Sequence, residues 1–296
     1  MRKINLLLVV TFALFTAVSC KKEANNTEES SAANDTVAKT ETHRIVSLNG
    51  AITEIVAALG HENEIVGVDV TSTYPESVQN TAKDLGHVRG ISIETIMTLN
   101  PTMILATDKD LSPELTEKIK AAGVEAHIFS QELSHPGSKK LIADVADVLH
   151  NTDYAKLQDK IDEDLAKVKT IENSPKVLFI YARGANQLMV SGTNTPVDKV
   201  IELAGAKNAV TEFEDYKPLT PEALIKSNPD VILMFTSGIG SLGGPQGVHK
   251  IPGVDKTNAG RNNKIIAMDG GLLNSFGPRL GEAALQLNGK LLENAE

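Results

Sequence analysis

Apolar and polar positions along this chain follow two periods that take turns. From Arg44, RIVSL has the β-branched character of a short strand, and ITEIVAALG then sets apolar residues at helical spacing with Gly60 as the stop. EIVGVDV predicts a second strand and SIETIMTL a helix ended by Asn100-Pro101, since the residue before a proline is pushed out of the helical region. TMILAT is apolar at nearly every position, as strands covered on both faces of a parallel sheet are. SPELTEKIKAAG and VEAHIFS add another helix and strand. Such regular alternation predicts an α/β lobe with crossover connections.

The order then starts again. KVLFIYA reads as a strand, PVDKVIELAG as a helix, and PEALIKSNPDVILMF as helix and strand. Setting SIETIMTLNPTMIL against TPEALIKSNPDVIL matches Glu94 with Glu222, Asn100 with Asn228 and Pro101 with Pro229, at a constant offset of 222 − 94 = 128. A helix-to-strand turn accounts for Asn-Pro alone, but an acid six positions ahead in both copies points to internal duplication. Between the halves, residues 138–173 carry Leu141, Val145, Val148, Leu149, Leu157, Ile161, Leu165 and Val168 at three- and four-residue steps, a long amphipathic helix or a broken pair. The expected fold is therefore α/β, with two Rossmann-like lobes, residues 43–137 and 174–296, joined by a long backbone helix. A cleft between them is the natural place for a small ligand, and a stiff connector should permit only small closure.

The N-terminus departs from this picture. Arg2 and Lys3 precede an apolar run from Ile4 to Val18, about 15 residues, shorter than the roughly 20 a membrane span needs. It reads as an export signal over residues 1–19. The end of the run, Ala17-Val18-Ser19-Cys20, resembles the lipobox of bacterial lipoproteins, with Ala17 where leucine is usual. Cys20 is the only cysteine, which excludes a disulfide within the chain and a cysteine-ligated cluster, and its position makes it a lipidation site. Residues 20–42, rich in Glu, Asn, Ser, Thr and Ala, lack the apolar surface to fold and are expected to be a disordered tether. The net charge of −9, with no basic stripe, argues against nucleic acid as a partner.

Arrangement and motifs together resemble the helical-backbone substrate-binding lipoproteins of bacterial ABC importers for cobalamin, siderophores and haem. The resemblance covers Arg44 to Leu292 and rests on RIVSLNGAITEIVAALG, EIVGV and the paired Glu-to-Asn-Pro segments. A narrower resemblance to haem-binding members rests on VGVDVTSTYP, YKPLTPEAL, GVHKIPGV with TNAGR, and FGPRL. It implies a carrier that takes haem (hemin) in the inter-lobe cleft and delivers it to a permease dimer, lipid-anchored outside a bacterial cytoplasmic membrane and acting as a monomer.

The tyrosine of TSTYP supplies an axial oxygen to ferric haem iron in those members, which carries over to Tyr74; a phenolate is a hard donor suited to Fe(III). Pro75 fixes the turn that presents it. Haem propionates call for cationic forks, for which Arg89 in GHVRGIS and Arg183 in YARG are the candidates. Some haem carriers place a histidine where Arg183 stands, which leaves the second axial position to Tyr181, to His87, or to nothing. Arg261 and Arg279 read as solvated surface residues. The resemblance further implies that Glu94 and Glu222, one per lobe, dock onto permease arginines.

A nucleophile elbow, a phosphate loop and a cysteine nucleophile are all missing, so an enzyme is disfavoured. The glycine-rich GIGSLGGPQG lacks the setting of a dinucleotide site and reads as a loop. His61, His127, His150 and His249 show no metal-ligand spacing. Cobalamin or a ferric siderophore is the alternative ligand; the chain has no tryptophan and 4% aromatic residues, against the aromatic lining expected for cobalamin.

Overall fold

Why two lobes form, and why they share one base, follows from where the apolar strands are placed. The computed structural model describes residues 43–294; the signal segment, Cys20 and the tether expected over 20–42 lie outside them. In the first half, β1 (Ile45–Ser47), β2 (Ile65–Val68), β3 (Lys83–Asp84), β4 (Met103–Thr107) and β5 (Glu125–Phe129) form one sheet in the order β3-β2-β1-β4-β5. Every pair in it is parallel. β1 and β4 at its centre are buried at every position, as TMILAT required.

The second half has β6 (Lys176–Ala182), β7 (Leu188–Ser191), β8 (Lys207–Asn208), β9 (Tyr216–Pro218), β10 (Val231–Phe235) and β11 (Ile265–Met268), in the order β11-β10-β6-β7-β9, with β8 paired to β6. Its centre repeats that of the first sheet. β4 and β10 start 231 − 103 = 128 residues apart, the same offset as the two glutamates. Asn100 and Asn228, at φ 47° and 39°, both take the left-handed conformation that asparagine tolerates at a helix end, and each passes the chain to a buried proline.

Two expectations fail in this lobe. β7 and β9 run antiparallel, because β6 turns straight back through a tight hairpin, Arg183 N–H donating to the Gln187 carbonyl at 3.0 Å, with no room for a crossover helix. The glycine-rich stretch expected to be a loop forms two short helices, Thr236–Ser241 and Pro245–His249. Gly247 lets the second lie against the turn at Leu242, where a Cβ would stand 1.9 Å from the Leu242 carbonyl oxygen.

The connector is the broken pair, His135–Val148 and Ala155–Leu165, rather than one long helix. The break contains a left-handed His150, and Asn151 holds it to the first lobe by donating to the Leu59 carbonyl at 3.0 Å. The C-terminal helix Leu280–Glu293 packs on the second connector helix, and its buried Asn288 exchanges hydrogen bonds with Lys169 of 2.7 and 3.0 Å. The largest apolar core consequently runs from Ile45 and Ile52 through Leu141 and Ile161 to Phe179, Leu233 and Leu287, with no gap between the lobes. Separate outer cores sit behind each sheet.

Asp162 pins the two connector helices by accepting from Lys139 and from His135, both at 2.5 Å, and these bonds hold its carboxyl below the usual aspartate range. A group whose folded pKa is depressed contributes stability above its unfolded pKa of about 3.9 and loses it as pH falls through the lower folded value. Asp162→Asn should flatten the acid limb of the stability curve below about pH 4. Urea melts across a pH series check this.

Candidate functional site

Carboxyl ends of parallel strands form the crevice where open α/β sheets bind ligands. The sequence candidates gather there. Tyr74 follows β2, His87 and Arg89 follow β3, and Tyr181 and Arg183 stand at the end of β6.

The Tyr74 loop is built on buried polar groups. Asp69, at the end of β2, accepts from the Thr71 hydroxyl at 2.6 Å, the Thr71 N–H at 3.1 Å and the Ser72 hydroxyl at 2.8 Å. Burial pushes its carboxyl up and these bonds pull it back. The Thr53 hydroxyl lies 2.7 Å from the Ser72 hydroxyl and 2.7 Å from that of Ser47 of β1, linking the loop to the first strand. Gly50 opens the helix Gly50–Val56 against this loop; a Cβ there would stand 2.6 Å from the Thr71 carbonyl oxygen. The loop is thus locked to the first strand and first helix, while Tyr74 itself, joined to Pro75 by a cis peptide, remains 47% exposed. By contrast, Tyr216 is half-buried against the core, where desolvation pushes its phenol up to about 12, and Tyr154 packs on the core as well.

Under Tyr74 lies Arg279, its guanidinium carbon 3.8 Å from the ring centroid. Its Nε and Nη2 donate to the two oxygens of Glu54 at 3.0 and 2.6 Å. Glu54 sits on a helix buried at every residue, and burial pushes its carboxyl up against the pull of this bidentate partner. Arg279 is therefore no solvated surface arginine: an acid buried this deeply requires a cation, and planar, always-charged arginine is the residue suited to meet it. The FGPRL motif marks the segment but does not reveal this role, because the arginine's partner lies 225 residues away. The signal in the sequence was Glu54, an acid among the apolar residues of ITEIVAALG.

Gly271 is the second residue that sequence reasoning missed. A Cβ there would stand 2.3 Å from the Thr73 hydroxyl, so this turn of the C-terminal lobe touches the Tyr74 loop backbone to side chain. Gln131 donates to the Ser275 carbonyl at 3.2 Å and buried Ser138 to the Phe276 carbonyl at 2.9 Å, tying the same C-terminal segment to the opposite lobe and the connector.

On the other wall, Arg183 lies 5.6 Å from the Tyr181 ring, and both line a recess of about 390 Å³ with Asn186, Gln187, Met189 and Pro218. Tyr181 is half-buried, edge-on to Phe235 at 5.9 Å. His87 and Arg89 are exposed neighbours, the His87 ring accepting from the Arg89 N–H at 3.3 Å. Among the described residues, no hydrogen bond or ring contact joins Tyr74 to His87, Arg89, Tyr181 or Arg183.

Glu94 and Glu222 occupy the same place in their lobes. Each is the exposed second residue of a short helix, after a capping Ser92 or Thr220 whose hydroxyl accepts a backbone N–H at 3.2 Å. Glu94 is held below the usual glutamate range by its own N–H and by Ser92.

This geometry has known counterparts. Residues 45–271 match the family model described as periplasmic binding protein. The chain belongs to the periplasmic binding protein family. Among its relatives is the ABC transporter substrate-binding lipoprotein YvrC of Bacillus subtilis strain 168, 29% identical, the match covering 86% of this chain and 81% of that one. A cobalamin-binding protein of Halobacterium salinarum is 24% identical, over 82% of this chain and 67% of its own. Among solved structures, the periplasmic heme-binding protein RhuT from Roseiflexus sp. RS-1 in apo form superposes with a TM-score of 0.82 at 38% identity, covering 86% of this chain and all of that one, 100%. Membership makes the chain an extracytoplasmic binding protein and not an enzyme.

Removing either member of the Glu54–Arg279 pair leaves a buried charge alone, which costs about 3–5 kcal/mol. Glu54→Ala and Arg279→Ala should each lower unfolding free energy by about that amount, and Glu54→Gln with Arg279→Met by clearly less. Denaturant melts of the three variants measure the difference.

Proposed function

We propose that this binding protein captures haem between its lobes and delivers it to the permease of an ABC importer. The observation that carries the choice of ligand is Tyr74, an exposed phenol on a rigid loop at the carboxyl-end crevice. As phenolate it offers ferric iron a hard, anionic oxygen. Arg89 and Arg183 stand at the crevice rim as donors for the propionates, and Tyr181 or His87 is the candidate for the opposite axial position. The likeness to RhuT supports haem over the cobalamin suggested by the more distant Halobacterium relative.

Glu94 and Glu222 dock on permease arginines, their equivalent helix positions suiting a two-fold partner. The protein works as a monomer, held at the membrane by lipid on Cys20 through the tether 20–42, after removal of residues 1–19.

Titrating the purified protein with haemin tests the ligand. A saturable Soret change with a ferric-phenolate spectrum is expected, and cyanocobalamin should not compete. Tyr74→Phe should lose that spectrum and weaken binding by on the order of a hundredfold, since even a supporting partner of a metal ligand is worth roughly 10–100-fold. An unchanged Soret band in the wild type would sink haem as the cargo.

Docking has its own test. With both Glu94→Lys and Glu222→Lys, haemin binding in solution should remain and haem uptake by cells should stop. Uptake at the wild-type rate would dismiss the two acids.

A further inference from the structure

Among the described residues, Arg279 is the cation that touches both a buried acid and the candidate iron ligand. Two of its nitrogens are committed to Glu54, whose helix is packed on every side and cannot move aside. A guanidinium held at two points by a fixed carboxylate has a fixed plane. A ring stacked on that plane at 3.8 Å is fixed as well.

Without this contact, the loop hydrogen bonds would define the backbone at Tyr74 but leave an exposed side chain free to change rotamer. Asp69, Thr71 and Ser72 bind one another and the first helix, and none of them reaches the phenol ring. Gly271 presses on Thr73, again on the loop and not on the ring. Arg279 alone among these contacts acts on the part of Tyr74 that meets a ligand.

We infer that Arg279 is a positioning residue for haem ligation: anchored by Glu54, it holds the Tyr74 ring in one orientation and so aims the phenolate oxygen at the iron. The inference rests on the reading of Tyr74 as axial ligand and deepens it. A donor ordered before the ligand arrives loses less freedom on binding, so the gain falls mainly on how slowly the ligand leaves. It also places the aim of a ligand on the N-terminal lobe under the control of a residue from the far end of the chain.

The test uses haemin transfer to an excess of apomyoglobin, followed by stopped flow, alongside the visible spectrum of the loaded protein. Glu54→Gln combined with Arg279→Met removes both charges at similar volume, so no lone buried carboxylate is left to unfold the protein. This double variant should release haemin about tenfold faster than wild type and show an altered phenolate-to-iron absorption band. Arg279→Lys keeps the charge without the planar fork and should show the same altered band. If the double variant, folded by circular dichroism, keeps the wild-type spectrum and release rate, Arg279 has no positioning role.

Adding Tyr74→Phe to the double variant should release haemin no faster than Tyr74→Phe alone, because the arginine acts through the ring. Additive losses would overturn the inference. In the ligand-free protein the Arg279 Nε–H proton should carry an upfield ring-current shift that vanishes in Tyr74→Leu; a shift that is missing or indifferent to Tyr74 removes the stack itself. Should Tyr74→Phe bind haemin with the wild-type spectrum, the axial-ligand reading falls and the positioning role falls with it. The ligand-free resonance still reports the stack separately, so the two failures are told apart.

Discussion

A carboxylate in the middle of a fully buried helix is the constraint around which this molecule is assembled. Glu54 belongs to the first helix of the first lobe, and the cation it needs is Arg279, 225 residues later. Charges taken out of water must be paired and hydrogen-bonded, and here the pairing cannot be made until the C-terminal segment has crossed back to the N-terminal lobe. The crossing brings Gly271 against Thr73, Ser275 to Gln131 and Phe276 to Ser138, and it delivers the helix Leu280–Glu293 onto the connector. One ion pair thus goes with the closing of the chain, the shape of the cleft floor and the support of Tyr74.

The repeated pattern accounts for the frame, and the departures from it account for the site. The 128-residue offset carries a capped glutamate, a left-handed asparagine, a buried proline and a central strand from one lobe to the other. Where the first lobe continues in parallel strands, the second turns back through the β6–β7 hairpin, and Tyr181 and Arg183 lie at that turn. The first lobe has instead the Asp69-to-Tyr74 loop after β2. The two lobes therefore present unlike walls to the cleft, each with one tyrosine against one arginine: Tyr74 on Arg279 at 3.8 Å, Tyr181 near Arg183 at 5.6 Å.

How much of this could be read from the sequence depended on range. Strand and helix alternation, the repeat and the candidate residues at strand ends were legible because each is written in neighbouring positions: KVLFIYA corresponds residue for residue to β6. The antiparallel β7 and β9 were not, since a four-residue and a three-residue strand carry too little pattern to distinguish hairpin from crossover. GIGSLGGPQG reads as a loop because glycine lowers helix propensity, yet it forms two short helices, and Gly247 is what allows the second to lie against the turn at Leu242. Arg279 was misjudged for the opposite reason. Nothing near FGPRL reveals an acid waiting in another lobe, and Glu54 within an apolar helix is the one local sign of a distant partner.

The continuous core bears on how such a protein handles its ligand. Lobes that share Leu141, Ile161, Phe179 and Leu287 cannot swing apart about a flexible strand without exposing that core to water, at roughly 25 cal/mol for each Å² of apolar surface uncovered. The break between the connector helices does not relax this, because Asp162 ties its two sides and Asn151 holds it to Leu59 of the first lobe. Capture must then depend on a cleft largely formed in advance, with adjustment confined to side chains at its rim. A planar ligand met by rigid walls places its demand on orientation, and orientation is what a loop locked by Asp69 and a ring resting on a clamped guanidinium supply.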